Sequence, residues 1–153
     1  MELSKFSVTI EIDSDIETVW EKLTDWESQS NWMLLTKVWS QRTPNSIGSK
    51  IFAFTGIFPQ RFPIENNSKF ARIGILDVME ITEWKPPTFC KVLHSGKVIK
   101  GIGTFELSKI SDHRIRFHWY EEIKAPALVL VLIRPGILLS VRYSLWRFAR
   151  SVA

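Results

Sequence analysis

The chain carries a single cysteine, Cys90, in 153 residues. Without a second thiol it forms no internal disulfide and has no paired sulfur ligands for zinc, which fits a reducing compartment and a cytoplasmic location. The opening MELSKFSV has no basic region, apolar run or small-residue cleavage site, so export is not expected. Histidine is nearly as scarce. His94, His113 and His118 show neither helical i, i+4 spacing nor clustered Cys and Asp partners, so no metal is expected, and no cofactor motif accompanies them. His113 falls in a turn and His118 on the polar face of a strand. There is no G-x-S-x-G nucleophile elbow, which removes local support for a hydrolase triad. Lys100-Gly101-Ile102-Gly103-Thr104 lies inside a predicted strand and lacks the spacing of a phosphate loop. Its glycines are expected to let strand and helix approach closely. Low-complexity tracts and internal repeats are absent, and one domain over residues 1–153 is expected.

Acid is missing from one end. Ala125 to Ala153 contains Arg134, Arg142, Arg147 and Arg150 but no Asp or Glu, so the whole net charge of +4 resides there. A phosphate backbone usually needs a basic stripe rather than one helix end, so no nucleic-acid partner is expected. The apolar run Ala127–Ile133 stops at Arg134-Pro135-Gly136, far short of the roughly 20 residues of a membrane span. Proline there is expected to kink or interrupt a helix, leaving Ala127–Ile133 as a mobile lid or entry segment.

What is present is a sharp change of period. Phe6, Val8, Ile10 and Ile12 alternate with polar residues as in a half-buried strand. Ser14 and Glu17 then have capping-box spacing, and Ile16, Val19, Trp20 and Leu23 fall on one helical face. Strands are predicted over Leu35–Thr43, Lys50–Phe58, Ala71–Trp84, Thr88–His94, Val98–Lys109 and Arg114–Lys124, with a loop over Pro59–Asn67. Pro86 and Pro87 end the long fourth strand. Short polar turns between successive strands imply an antiparallel meander. Beyond Pro135, Leu138, Val141, Leu145, Phe148 and Val152 form an apolar helical stripe, with Ser140, Ser144, Arg147, Arg150 and Ser151 on the far side.

This order, and the blocks SDIETVWEKLTDWESQSNW at 14 to 32, Ile47-Gly48-Ser49, VMEITEWKPPTF at 78 to 89, GTFEL at 103 to 107 and Glu121-Glu122, resemble the START-like proteins of the polyketide cyclase/dehydrase and lipid-transport type. Asp15 stands where many of those proteins have proline, and either suits a first helical turn. The resemblance implies an α+β helix-grip fold: a curved antiparallel sheet of about seven strands around a long C-terminal helix, with two short helices after the first strand. It also implies an apolar cavity between sheet and helix. The resembling proteins include carriers, receptors and enzymes without a shared catalytic set, so fold does not select among these.

Candidate ligand-binding residues are Phe52, Phe54, Phe105, Phe117, Trp119, Glu121, Leu138, Val141 and Leu145. Glu121 shares a strand face with Ile115, Phe117, Trp119 and Ile123. Facing a cavity it would have a raised pKa and could act as acid, base or polar anchor, which makes it the one catalytic candidate. Buried unpaired acids are rare, so the expected arrangement is a strand-end carboxylate, solvated or paired with an arginine of the final helix. The sequence therefore predicts a carrier of a small hydrophobic ligand, with a metal-free cyclase or dehydratase as the alternative. A membrane or protein-interaction module is a third reading, with contact through the C-terminal arginines. A cavity-covering helix accounts for the same pattern with fewer assumptions.

Overall fold

In the strand Glu2–Ile12 (β1), Phe6, Val8 and Ile12 are buried while their neighbours face solvent, the alternation expected of a sheet with one covered face. The computed structural model describes residues 1–57 and 73–153. Six further strands follow: Thr36–Gln41 (β2), Lys50–Ile57 (β3), Ile73–Lys85 (β4), Phe89–Ser95 (β5), Lys100–Ser111 (β6) and Arg114–Ala125 (β7). They form one antiparallel sheet in the order β1-β7-β6-β5-β4-β3-β2. The first strand closes against the last, and β2 forms the other edge. The predicted loop over Pro59–Asn67, with Phe58 and Ala71, lies outside the described residues. Leu35, expected to open a strand, instead has φ 52, and β2 begins one residue later.

Helix Ile16–Thr24 (α1) buries Ile16, Val19, Trp20 and Leu23. Its cap is Asp15, not the predicted Ser14. The Asp15 carboxylate accepts the Thr18 backbone N–H and the Thr18 hydroxyl, both at 2.8 Å, and these bonds hold its pKa below the ordinary value. A 3-10 turn at Trp26–Ser28 leads to Gln29–Trp32 (α2). Trp20 and Trp26 pack on Trp84, and Trp32 packs on Phe148 with ring centroids 4.9 Å apart. Trp20 and Trp26 are structural.

The last helix, Ala127–Val152 (α3), runs unbroken through Pro135, against the predicted interruption. One missing N–H is tolerated because residues on both sides are anchored. Leu130 and Leu138 pack on a small cluster of Phe6, Ile99, Ile123 and Ala125, while Leu145 and Phe148 belong to the main core. At roughly 1.5–3 kcal/mol for each large side chain buried, that packing outweighs one lost backbone bond.

Candidate functional site

The main core and the smaller cluster do not close on each other completely. A cavity of about 490 Å³ borders both, within the range that holds small organic ligands. The sheet contributes Ala53, Thr55, Ile75, Asp77, Met79, His94, Phe105, Trp119, Glu121 and Ile123, α2 contributes Gln29 and Trp32, and α3 contributes Gly136, Ser140, Val141, Ser144 and Leu145.

Most of that wall is apolar, with one charged cluster set into it. His94 lies between two carboxylates, its Nδ1 2.8 Å from Asp77 Oδ1 and its Nε2 2.5 Å from Glu121 Oε2. Glu121 and His94 are almost fully buried, and Asp77 is partly exposed. Burial works against charge on the imidazole, but the Glu121 charge and the two carboxylate hydrogen bonds reverse it, raising the His94 pKa to about 10. His94 is therefore an imidazolium at neutral pH, donating from both nitrogens. Burial pushes the Glu121 carboxyl upward, and the imidazolium together with a hydrogen bond from Trp119 only partly offsets this. With both imidazole nitrogens committed, the cluster has no nitrogen lone pair for a metal. Among the described residues no group of three or more His, Cys, Asp or Glu side chains is arranged so that it could hold a metal ion. In ¹⁵N NMR, both His94 ring nitrogens are expected to remain protonated at pH 8, where an ordinary histidine is neutral. A neutral ring at that pH would mean that the carboxylates do not hold the proton.

The reach of this cluster depends on a glycine. Glu121 is on β7 and His94 on β5, with β6 between them, so the two backbones are separated by about twice the 4.8 Å strand spacing. Gly103 of β6 pairs with Glu121, and a Cβ there would stand 2.7 Å from both carboxylate oxygens. Its missing side chain leaves the lane through which Glu121 crosses to His94. The predicted role of these glycines, close approach of strand and helix, is corrected accordingly. At Gly101, φ is +134, and a Cβ would meet the Glu122 carbonyl of the next strand, not a helix.

Of the residues chosen from sequence, Phe105, Trp119, Glu121, Val141 and Leu145 line the cavity. Phe52 and Phe54 do not. Their strand turns Ile51, Ala53 and Thr55 toward the cavity side, while Phe52 stacks on Trp39 of β2 on the opposite face. Phe117 is core beneath Phe105, their centroids 5.7 Å apart, and Leu138 bridges the two apolar clusters. Glu121 is neither solvated nor paired with an arginine of α3, because its partner is His94. Ser140 and Ser144, placed on the far side of the last helix by sequence, face the cavity, and Ser144 Oγ accepts the Leu34 N–H at 2.9 Å. Cys90 is core, its thiol pushed up to about 12 by burial and therefore unreactive.

His94 and Asp77 were missed, although their strands carried a signal. Cys90, Val92 and His94 share one face of β5, and Ile75, Asp77, Met79 and Ile81 share one face of β4. Each polar residue is in phase with an apolar set, as Glu121 is on β7.

A curved seven-stranded antiparallel sheet gripping a long C-terminal helix over an apolar cavity is the helix-grip architecture, and the chain has the START-like fold. No family model matches the chain, and no curated protein matches it in sequence. Solved structures do match. A START superfamily protein from Mycobacterium smegmatis superposes with a TM-score of 0.72 at 11% identity, covering 97% of this chain and 99% of the other. A conserved protein from Geobacillus kaustophilus gives 0.70 at 17% identity, covering 97% and 95%. The Zhui aromatase/cyclase from Streptomyces sp. R1128 gives 0.70 at 10%, covering 99% and 97%. At such identities the likeness establishes the fold and leaves the ligand open.

Proposed function

We propose that the protein is a cytoplasmic carrier of a small hydrophobic molecule, of lipid, isoprenoid or polyketide type, with one hydrogen-bonding group that docks at Glu121. The observation that carries this reading is the cavity of about 490 Å³ between sheet and α3, mostly apolar, with one charged cluster and a few neutral polar side chains, Ser140 and Ser144 among them, in its wall. Apolar walls supply affinity without direction, and a few convergent polar groups fix orientation. Glu121 accepts from His94 and Trp119 and retains acceptor capacity for a ligand hydroxyl or amine. Native mass spectrometry of the purified protein is expected to show an adduct of a few hundred daltons that organic extraction removes. Ala53→Phe, which sets a ring in the cavity, is expected to abolish binding of anilinonaphthalene sulfonate with unchanged circular dichroism. Retained dye binding by that variant, together with no adduct, would refute the carrier reading.

The His94–Glu121 pair favours a second reading, a metal-free cyclase or dehydratase. A proton held between a buried imidazole and a buried carboxyl at a cavity wall is positioned for general acid–base work. Glu121→Gln separates the two readings: the enzyme should lose turnover of its identified substrate, whereas a carrier should lose only part of its affinity.

A further inference from the structure

The helix that covers the cavity with one face leaves the other uncovered. Leu128, Val131, Leu139, Tyr143 and Trp146 are 70%, 71%, 72%, 48% and 51% exposed. Their spacings of three, eight, four and three residues place them on one stripe of α3, centred opposite the cavity-lining Ser144 and the core residue Phe148. The stripe runs along most of a helix roughly 39 Å long. Isolated exposed apolar residues need no explanation, but five aligned on one side of one helix do.

We propose that this outer face of α3 docks on an anionic lipid bilayer, lying in the plane of the interface. Charge selects this occupant. The segment from Ala125 onward holds four arginines and no acid. Arg142 and Arg150 interleave with the stripe, and Arg147 borders it. A second copy of the same face would bring the same arginines and no acid from this segment to pair with them, which disfavours self-association. Phosphate headgroups complement the arginines, and the apolar side chains between them suit the acyl boundary. The aromatic pair adds a specific feature. Tyr143 and Trp146 stack with centroids 5.9 Å apart, and the guanidinium of Arg150 lies 4.9 Å over the Trp146 ring. An indole at the headgroup level with a cation directly above it is the arrangement of interfacial anchors. No helix among the described residues is long and apolar enough to cross a membrane, so α3 would rest on the surface. Docking would bring the cavity's cover onto a source of apolar molecules, yet it does not depend on the cavity having a ligand.

Co-sedimentation with phosphatidylcholine vesicles, with and without phosphatidylglycerol, tests the proposal. Binding is expected on the anionic vesicles, weakening as salt is raised, and near zero on the neutral ones. Arg142→Gln and Arg150→Gln should each lower partitioning roughly fivefold, from about 1 kcal/mol per surface-proximal cation. Leu139→Ser with Trp146→Ser should abolish binding, and because both residues are exposed the circular dichroism should not change. Negligible binding to anionic vesicles would overturn the proposal, as would binding insensitive to these substitutions or equal on neutral lipid. A concentration-dependent dimer in sedimentation velocity that Leu139→Ser with Trp146→Ser dissolves would reassign the face to a second copy and also overturn it. If the vesicle results hold while Ala53→Phe leaves dye binding intact and no adduct is found, docking stands and the carrier reading falls.

Discussion

Replacing His94 by alanine is expected to reduce folding stability by about 3–5 kcal/mol, the usual consequence of removing one partner from a buried ion pair. Two carboxylates share this one cation, and Glu121 is almost wholly buried, so its charge would be left without compensation. The cavity enlarged by losing an imidazole adds a smaller penalty. Urea denaturation measures the loss. A companion variant isolates its cause: His94→Leu with Glu121→Leu removes both buried charges together and is expected to recover most of the stability, since Asp77 retains solvent contact. A cost below about 1 kcal/mol for His94→Ala would mean that the pair is not a stabilising ion pair.

The same pair sets the direction of pH dependence. His94 titrates near 6.5 when unfolded and near 10 when folded, so the folded chain binds more protons between those values. Its stabilising contribution is fully present below about pH 6.5 and is lost as pH rises through about 10. The slope over that window is about 1 kcal/mol per pH unit. The shift of Glu121 is also upward, so it acts in the same direction. In His94→Ala the histidine window disappears. The stranded Glu121 then dominates, and stability should begin to fall above about pH 4.5, where the unfolded carboxyl has already ionised.

How much of this could be read from sequence depended on whether the deciding contacts were local. The alternation of β1 and the helical stripe of α1 are set by neighbours within a few residues, and both elements formed as expected, with the cap moved by one position to Asp15. The faces of β3 were a harder problem. Period two separates Phe52 and Phe54 from Ile51, Ala53 and Thr55 but does not say which set faces the cavity, and the larger rings lie on the other face, where Phe54 is nonetheless buried. The serines of α3 were misplaced because a helix covering a cavity, unlike one covering a solid core, can present hydroxyls inward. The charged cluster was the least legible feature. Alternation could show that Asp77, His94 and Glu121 each point with apolar residues. Their partners, however, are 17 and 27 residues from His94 along the chain, and only the strand order brings them together.

Gly103→Ala is the sharpest test of how that cluster is built, with an expected loss of about 2–3 kcal/mol, the scale of overpacking a filled site. Its backbone is not in the left-handed region, so alanine there should by itself be mildly stabilising through the unfolded chain. The sign is decided by the 2.7 Å approach of the new Cβ to both Glu121 oxygens. A flexible side-chain end could usually withdraw, but this one is tied to His94 and Trp119 inside the cavity wall. Removing the carboxylate should therefore remove the penalty: in a Glu121→Ala background, Gly103→Ala should be neutral or stabilising, a non-additivity that a double-mutant cycle reads directly. Equal cost in both backgrounds would mean that the glycine serves backbone packing and not the carboxylate. In the single variant, displaced Glu121 should release His94, whose ring nitrogens would then titrate closer to the ordinary histidine value.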